Sequence, residues 1–105
     1  MKEKFSNQLS AAEIERLALL GEEMGEAQQA IGKVLRHGYQ SYNPVLNTGL
    51  VNRRELEREL GHVSAAVTLL TRAGDVNLKG MRFSMLDKIK NLRRWLHHQP
   101  RKLLR

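Results

Sequence analysis

The sequence predicts an all-α fold of three helices, and three observations carry the prediction. Apolar residues recur at helical spacing in three separate segments. Each segment opens on a capping residue and closes at a glycine or shortly before a proline. No segment alternates apolar and polar residues in the manner of a strand. At 105 residues the chain is one small domain. It has few aromatic residues, so Leu, Val, Ile, Ala and Met must fill a modest core. A helical bundle completed by homo-oligomerisation would enlarge that core.

Residues 1–9 show no periodicity and read as a flexible N-terminus. Ser10-Ala-Ala-Glu13 is a capping-box sequence that should start the first helix. The stripe of that helix is Ile14, Leu17, Leu20/Gly21, Met24, Ile31 and Leu35, and Gly38 is placed to stop it. Residues 38–51 form a long connection with Pro44, two glycines and two tyrosines, a length that in a small domain is usually functional or disordered. Asn52-Arg-Arg-Glu55 resembles a second cap. The second stripe is Leu56, Leu60, Val63, Val67 and Leu70, ending at Gly74. Asn77 should cap the third helix, with its stripe at Leu78, Met81, Met85, Ile89, Leu92 and Leu96 and Pro100 beyond its end. The helical domain thus spans 10–98, and 99–105 is a basic C-terminal tail.

Charge is unevenly spread. From Lys79 to Arg105 nine basic residues face Asp87 alone, a balance of +8, while the rest of the chain holds nine basic and ten acidic residues. A basic end of this kind suits an anionic partner or is simply a solvated face. There is no cysteine, so disulfides and thiolate metal sites are excluded. No apolar run reaches the roughly 18–20 residues of a membrane span. The first residues lack a signal peptide's apolar core, so the expected location is the cytoplasm.

The polar residues beside the stripes carry the chemistry. Glu23 and Glu26 are three apart and share a line with Leu19 and Ala30 on the first helix. Glu59 and His62 repeat the spacing on the second, in line with Glu55, Ala66, Leu69 and Ala73. Glu22 and Glu57 point toward solvent. Carboxylates flanked by small apolar residues need partners, because isolated charge is costly to bury. If the two helices pack side by side, those four residues come together as metal ligands. The alternative is ion pairing with Arg53, Arg54, Arg58 or Arg72. On the third helix Lys90, Arg93 and His97 share a line. Cations beside clustered carboxylates suit a Mg²⁺-bound polyphosphate, or they are solvated, or they pair with Glu23 and Glu59.

At these residues the chain resembles the MazG-like all-α nucleoside triphosphate pyrophosphohydrolases, whose signature is E-E-x-x-E on one helix and E-x-x-D on a later one. Glu22-Glu23-Met24-Gly25-Glu26 matches the first part, and Glu59-Leu60-Gly61-His62 matches the second except at its last position. The likeness runs from about Leu17 to Arg94 and includes K-x-x-R-R at Lys90, Arg93 and Arg94. The segment Gly32–Tyr39 looks like small bacteriophage or prophage members. The resemblance implies a metal-dependent enzyme that cleaves NTP or dNTP between the α and β phosphates, releasing monophosphate and pyrophosphate. It implies Glu23, Glu26 and Glu59 as metal ligands, with His62 in the fourth position. It also implies Glu22 as a catalytic residue that orients or deprotonates water, and an oligomer, dimer or tetramer, whose acidic helices line a nucleotide cleft. Mg²⁺ is the family's expected ion, but His62 opens the site to Mn²⁺ or another softer divalent ion.

Lys33, Arg36, His37, Tyr39 and Tyr42 lead into the long connection and could form a lid, with cations on phosphate and a tyrosine on the base. The alternative is an ordinary surface loop. Lys90, Arg93 and Arg94 would bind substrate phosphate from the third helix. Two other readings compete with the enzyme. One is a weak or silent nucleotide-binding relative, motivated by His62. The other is a small basic nucleic-acid-binding protein, weakened by the acidic helices, which repel phosphate unless a metal is bound.

Overall fold

The computed structural model describes residues 6–42, 45 and 50–105. All of its regular structure is helical: α1 (Ala11–His37), α2 (Asn52–Arg72) and α3 (Leu78–Asn91), followed by short 3₁₀ turns at Leu92–Arg94 and Arg101–Leu104. Residues 1–5, within the expected flexible N-terminus, and 43, 44 and 46–49, in the α1–α2 connection, lie outside the described residues.

The helix ends follow local chemistry. Ser10 accepts from the Glu13 N–H at 3.1 Å, and Glu13 accepts from the Ser10 N–H at 2.9 Å, completing the capping box. Gly38, at φ +86°, ends α1 and donates its N–H to the Val34 carbonyl at 2.7 Å. Asn77 caps α3 by accepting from the N–H groups of Lys79 and Gly80. The start of α2 differs from the expected cap. Val51 is its N-cap, and the Asn52 side chain reaches across to donate to the Gly38 carbonyl at 3.1 Å. The N–H groups of Asn52 and Arg53 donate to the carbonyls of Ser41 and Tyr39 at 2.7 and 2.9 Å. The unpaired donors at the head of α2 are thus satisfied by the chain that has just left α1.

Helices α1 and α2 form an antiparallel hairpin, the only extended helix–helix packing among the described residues. Cross-helix pairs run in opposite order along the two: Lys33 with Glu55, Glu23 with His62, and Arg16 with Asp75 just past α2. Ala27, Ala30 and Ala66 sit at the contact, Ala66 at 0% exposure. Their small side chains let the helices approach closely.

The apolar stripes do not coincide with this contact. The α2 stripe ends at Leu70, which is buried, but Leu60 is exposed. On α1, Ile14, Leu17, Met24, Ile31 and Leu35 are all exposed, Leu35 at 82%. The interface instead follows the neighbouring line of alanines and carboxylates. Helix α3, expected to add a core stripe, buries none of its residues. Leu78 and Met85 from that stripe are exposed, as is Phe83 at 74%. The C-terminal tail ends in a 3₁₀ turn whose Leu104 is buried. The radius of gyration is 18.2 Å, against about 13 Å for a compact domain of this length. No helix among the described residues is long and apolar enough to cross a membrane.

Candidate metal centre

Helical spacing and the antiparallel hairpin together build the centre. Glu23 and Glu26 stand one turn apart on α1, and Glu59 and His62 one turn apart on α2. Packing on the alanine line brings the two pairs together, so each of the four residues offers a ligand atom within 4.8 Å of the others, with Glu23 and Glu59 on the inner side and His62 49% exposed. Glu59 is 9% exposed, and its neighbour Glu55, one turn earlier, is 7% exposed.

The orientation of the oxygens matters more than their crowding. Glu23 Oε2 and Glu59 Oε2 are both buried, and neither has a hydrogen-bond partner. His62 Nδ1 lies 3.5 Å from the first and 3.4 Å from the second, yet hydrogen-bonds to neither. A buried oxygen without a partner costs about 1–3 kcal/mol, more when it carries charge. Three carboxylates and an imidazole therefore stand close together, with one oxygen each of Glu23 and Glu59 buried and unpartnered. A divalent cation fits this donor set. It takes carboxylate oxygens and a neutral ring nitrogen, and it offsets the repulsion that the cluster otherwise bears.

That repulsion registers on Glu26. Its carboxyl is held above the usual carboxylate range, first by contact with the Glu59 carboxyl, which favours the protonated form, then by the negative charges of Glu23 and Glu59, by burial and by Glu22. Glu22 itself is exposed and stands outside the four-residue cluster.

A cleft of about 300 Å³ adjoins the centre, lined by Glu26, Gln29, Ala30, Lys33, Glu55, Arg58 and Glu59. Lys33 Nζ lies 3.4 Å from Glu55 Oε2, and Arg58 Nη2 lies 3.5 Å from Glu59 Oε1. Metal-type ligands and two cations thus share one opening. From the sequence Lys33 reads as part of a lid, Arg58 as an ion-pair partner, and Glu55 as a neighbour on the Glu59 line without a role in the site. The signal for Arg58 and Glu55 is present, since residues 55, 58, 59 and 62 fall within two turns on a single helix face.

The other predicted substrate residues lie elsewhere. Arg36 and His37 are exposed in the last turn of α1, roughly 15 Å along the helix from Glu26 at 1.5 Å per residue. Arg36 lines a separate shallow groove with Gly25, Gln28, Gln29, Gly32 and Lys33. Tyr39 has the Arg53 guanidinium 4.4 Å from its ring centroid, a cation–π contact that ties the loop to α2. Tyr42 is exposed. Lys90, Arg93 and Arg94, on α3 and the turn after it, are exposed, and among the described residues none pairs with the acidic cluster.

Comparison of the chain with protein-family models, curated proteins and solved structures returns no match. The family resemblance therefore stands on the two motifs alone, and the chemistry of the site on its geometry.

Proposed function

We propose that this protein is a metal-dependent nucleoside triphosphate pyrophosphohydrolase, cleaving NTP or dNTP to the monophosphate and pyrophosphate. The observation that carries this reading is the meeting of Glu23 and Glu26 with Glu59 and His62 beside a cationic cleft. The choice of reaction comes from the resemblance of the two motifs to the MazG-like enzymes. When bound, the divalent ion supplies neutralisation of phosphate charge and polarisation of the phosphoryl oxygens. Glu23, Glu26, Glu59 and His62 would hold it. Lys33 and Arg58 line the cleft that opens from the centre, where their charge favours the triphosphate. Water attacks the α-phosphorus, the bond to the bridging α–β oxygen breaks, and pyrophosphate leaves. Glu22, on the solvent side of the cluster, is the base that takes the water's proton. The exposed stripes of α1 and α3 support a homodimer or higher oligomer as the working form. In it, Lys90, Arg93 and Arg94 would reach phosphate from another copy.

Pyrophosphate release across a panel of ribo- and deoxynucleotides, with Mg²⁺ and with Mn²⁺, tests the reading. Release that depends on metal and disappears in Glu59→Gln supports it. Nucleotide binding without release from any substrate, under either ion, would establish the silent relative instead, the reading that the substitution of His62 into the motif favours. The exposed cations after Lys79 favour a nucleic-acid ligand in their own right. A DNA shift that weakens steeply with salt, in protein that releases no pyrophosphate, would replace the enzyme with that reading.

A further inference from the structure

His62 is where the centre departs from an all-oxygen cage, and its placement decides what the cage prefers. The ring belongs to α2 one turn beyond Glu59, so the same helix face that aims the carboxylate aims the imidazole. Its Nδ1 sits between two buried oxygens, 3.5 Å from Glu23 Oε2 and 3.4 Å from Glu59 Oε2. Neither oxygen has a hydrogen-bond partner. Both contacts are at ion-pair distance without hydrogen-bond geometry, and the ring is 49% exposed, open to an entering ion.

We infer that His62 makes this centre select a nitrogen-accepting transition-metal dication, of the Mn²⁺ or Co²⁺ class, over Mg²⁺. The inference rests on the metal reading of the site given above. Mg²⁺ is a hard ion that prefers oxygen and gives up its waters reluctantly. A neutral imidazole in place of a carboxylate removes one anionic oxygen from the set and offers a donor that Mg²⁺ uses poorly. Transition-metal dications accept that nitrogen readily. Glu59, 9% exposed with its Oε2 unpartnered, anchors the oxygen side whichever ion enters.

The test measures binding, not turnover. The full chain, stripped of metal, is titrated with Co²⁺ and separately with Mg²⁺ by calorimetry, and the visible absorption of bound Co²⁺ is recorded. The same is done for His62→Asp and His62→Ala, with far-UV circular dichroism to check folding. In the wild type Co²⁺ binds more tightly than Mg²⁺. His62→Asp lowers the ratio of affinities by at least about tenfold, the smallest effect expected even of an indirect partner. His62→Ala weakens Co²⁺ and leaves Mg²⁺ little changed. In both variants the Co²⁺ bands shift as the nitrogen is lost. An unchanged ratio and unchanged bands in folded variants would overturn the inference while leaving the carboxylate centre standing. Absence of binding by either ion to the wild type would overturn the metal reading itself, and this inference with it.

Discussion

Glu23, Glu26 and Glu59 crowd one another, and this gives the site a signature that a structural ion-pair network would not show. Replacing any of them by Gln removes a charged ligand but keeps the side chain's shape. Each change should reduce hydrolysis by more than the roughly 10–100-fold typical of outer-shell partners. Glu57→Gln, on an exposed residue of the same helix whose nearest cation is Arg54 at 3.9 Å, should leave the rate unchanged. Stability should move the other way from activity. The ionised form of Glu26 is disfavoured in the fold by its carboxylate neighbours, so Glu26→Gln should raise the melting temperature of metal-free protein at neutral pH. A lower melting temperature would mean that Glu26 serves the fold and not a ligand. The pairs Glu23/Glu26 and Glu59/His62 were legible in the sequence because i, i+3 spacing on a helix fixes a shared face before any tertiary structure is known. Arg58 and Glu55 lie on that same face of α2, but that it walls a cleft follows only from α1 packing beside it.

The helices themselves were legible for an equally local reason: caps are written within four residues of the turn they close. Ser10→Ala should cost about 1 kcal/mol in denaturant unfolding, the usual worth of an N-cap side chain. Gly38 adopts φ +86° and ψ 169°, a region that is essentially closed to residues with a Cβ. Gly38→Ala should therefore cost about 1–3 kcal/mol and loosen the loop whose carbonyls at Gly38, Tyr39 and Ser41 receive the head of α2. The far end of the hairpin is held by Arg16, which donates from Nε and Nη2 to Asp75 at 2.6 and 3.1 Å. That bond, together with the positive charge of Arg16, holds the Asp75 carboxyl below its usual range against the opposing effect of burial. A depressed carboxyl contributes stability that is complete above its unfolded value, about 3.9, and is lost as the pH falls through the folded value. Wild-type protein should thus lose stability relative to Asp75→Asn only in that acid window. Parallel pH profiles for the two below pH 4 would show that the pair contributes nothing. The orientation of α1 about its own axis was not legible. Its strongest apolar stripe promised the core face, but close packing at Ala27, Ala30 and Ala66 placed the line beside it there.

At the scale of the whole molecule, the exposed stripe becomes an argument about assembly. A hairpin that buries carboxylates and alanines has spent its small residues on the site and left its large ones outside. Leu17, Met24, Ile31 and Leu35 on α1, and Leu78, Phe83, Met85 and Leu86 on α3, are all exposed. Apolar surface of this extent in a protein with an elongated outline of 58 × 40 × 27 Å is what a self-complementary interface covers. The protein should therefore scatter light with at least twice its 12.0 kDa chain mass at micromolar concentration. Leu17→Glu and Phe83→Asp place charge on α1 and α3 away from the acidic centre. Each should shift the equilibrium toward the 12.0 kDa species while leaving the α1–α2 hairpin helical by circular dichroism, since both side chains are exposed. If the dimer completes the site, pyrophosphate release should fall with the dimer fraction and recover on raising protein concentration, whereas the loss in Glu59→Gln should not recover. A wild type that scatters as a 12.0 kDa monomer across that range and still hydrolyses nucleotide would sink the assembly argument and leave the centre as a single-chain site.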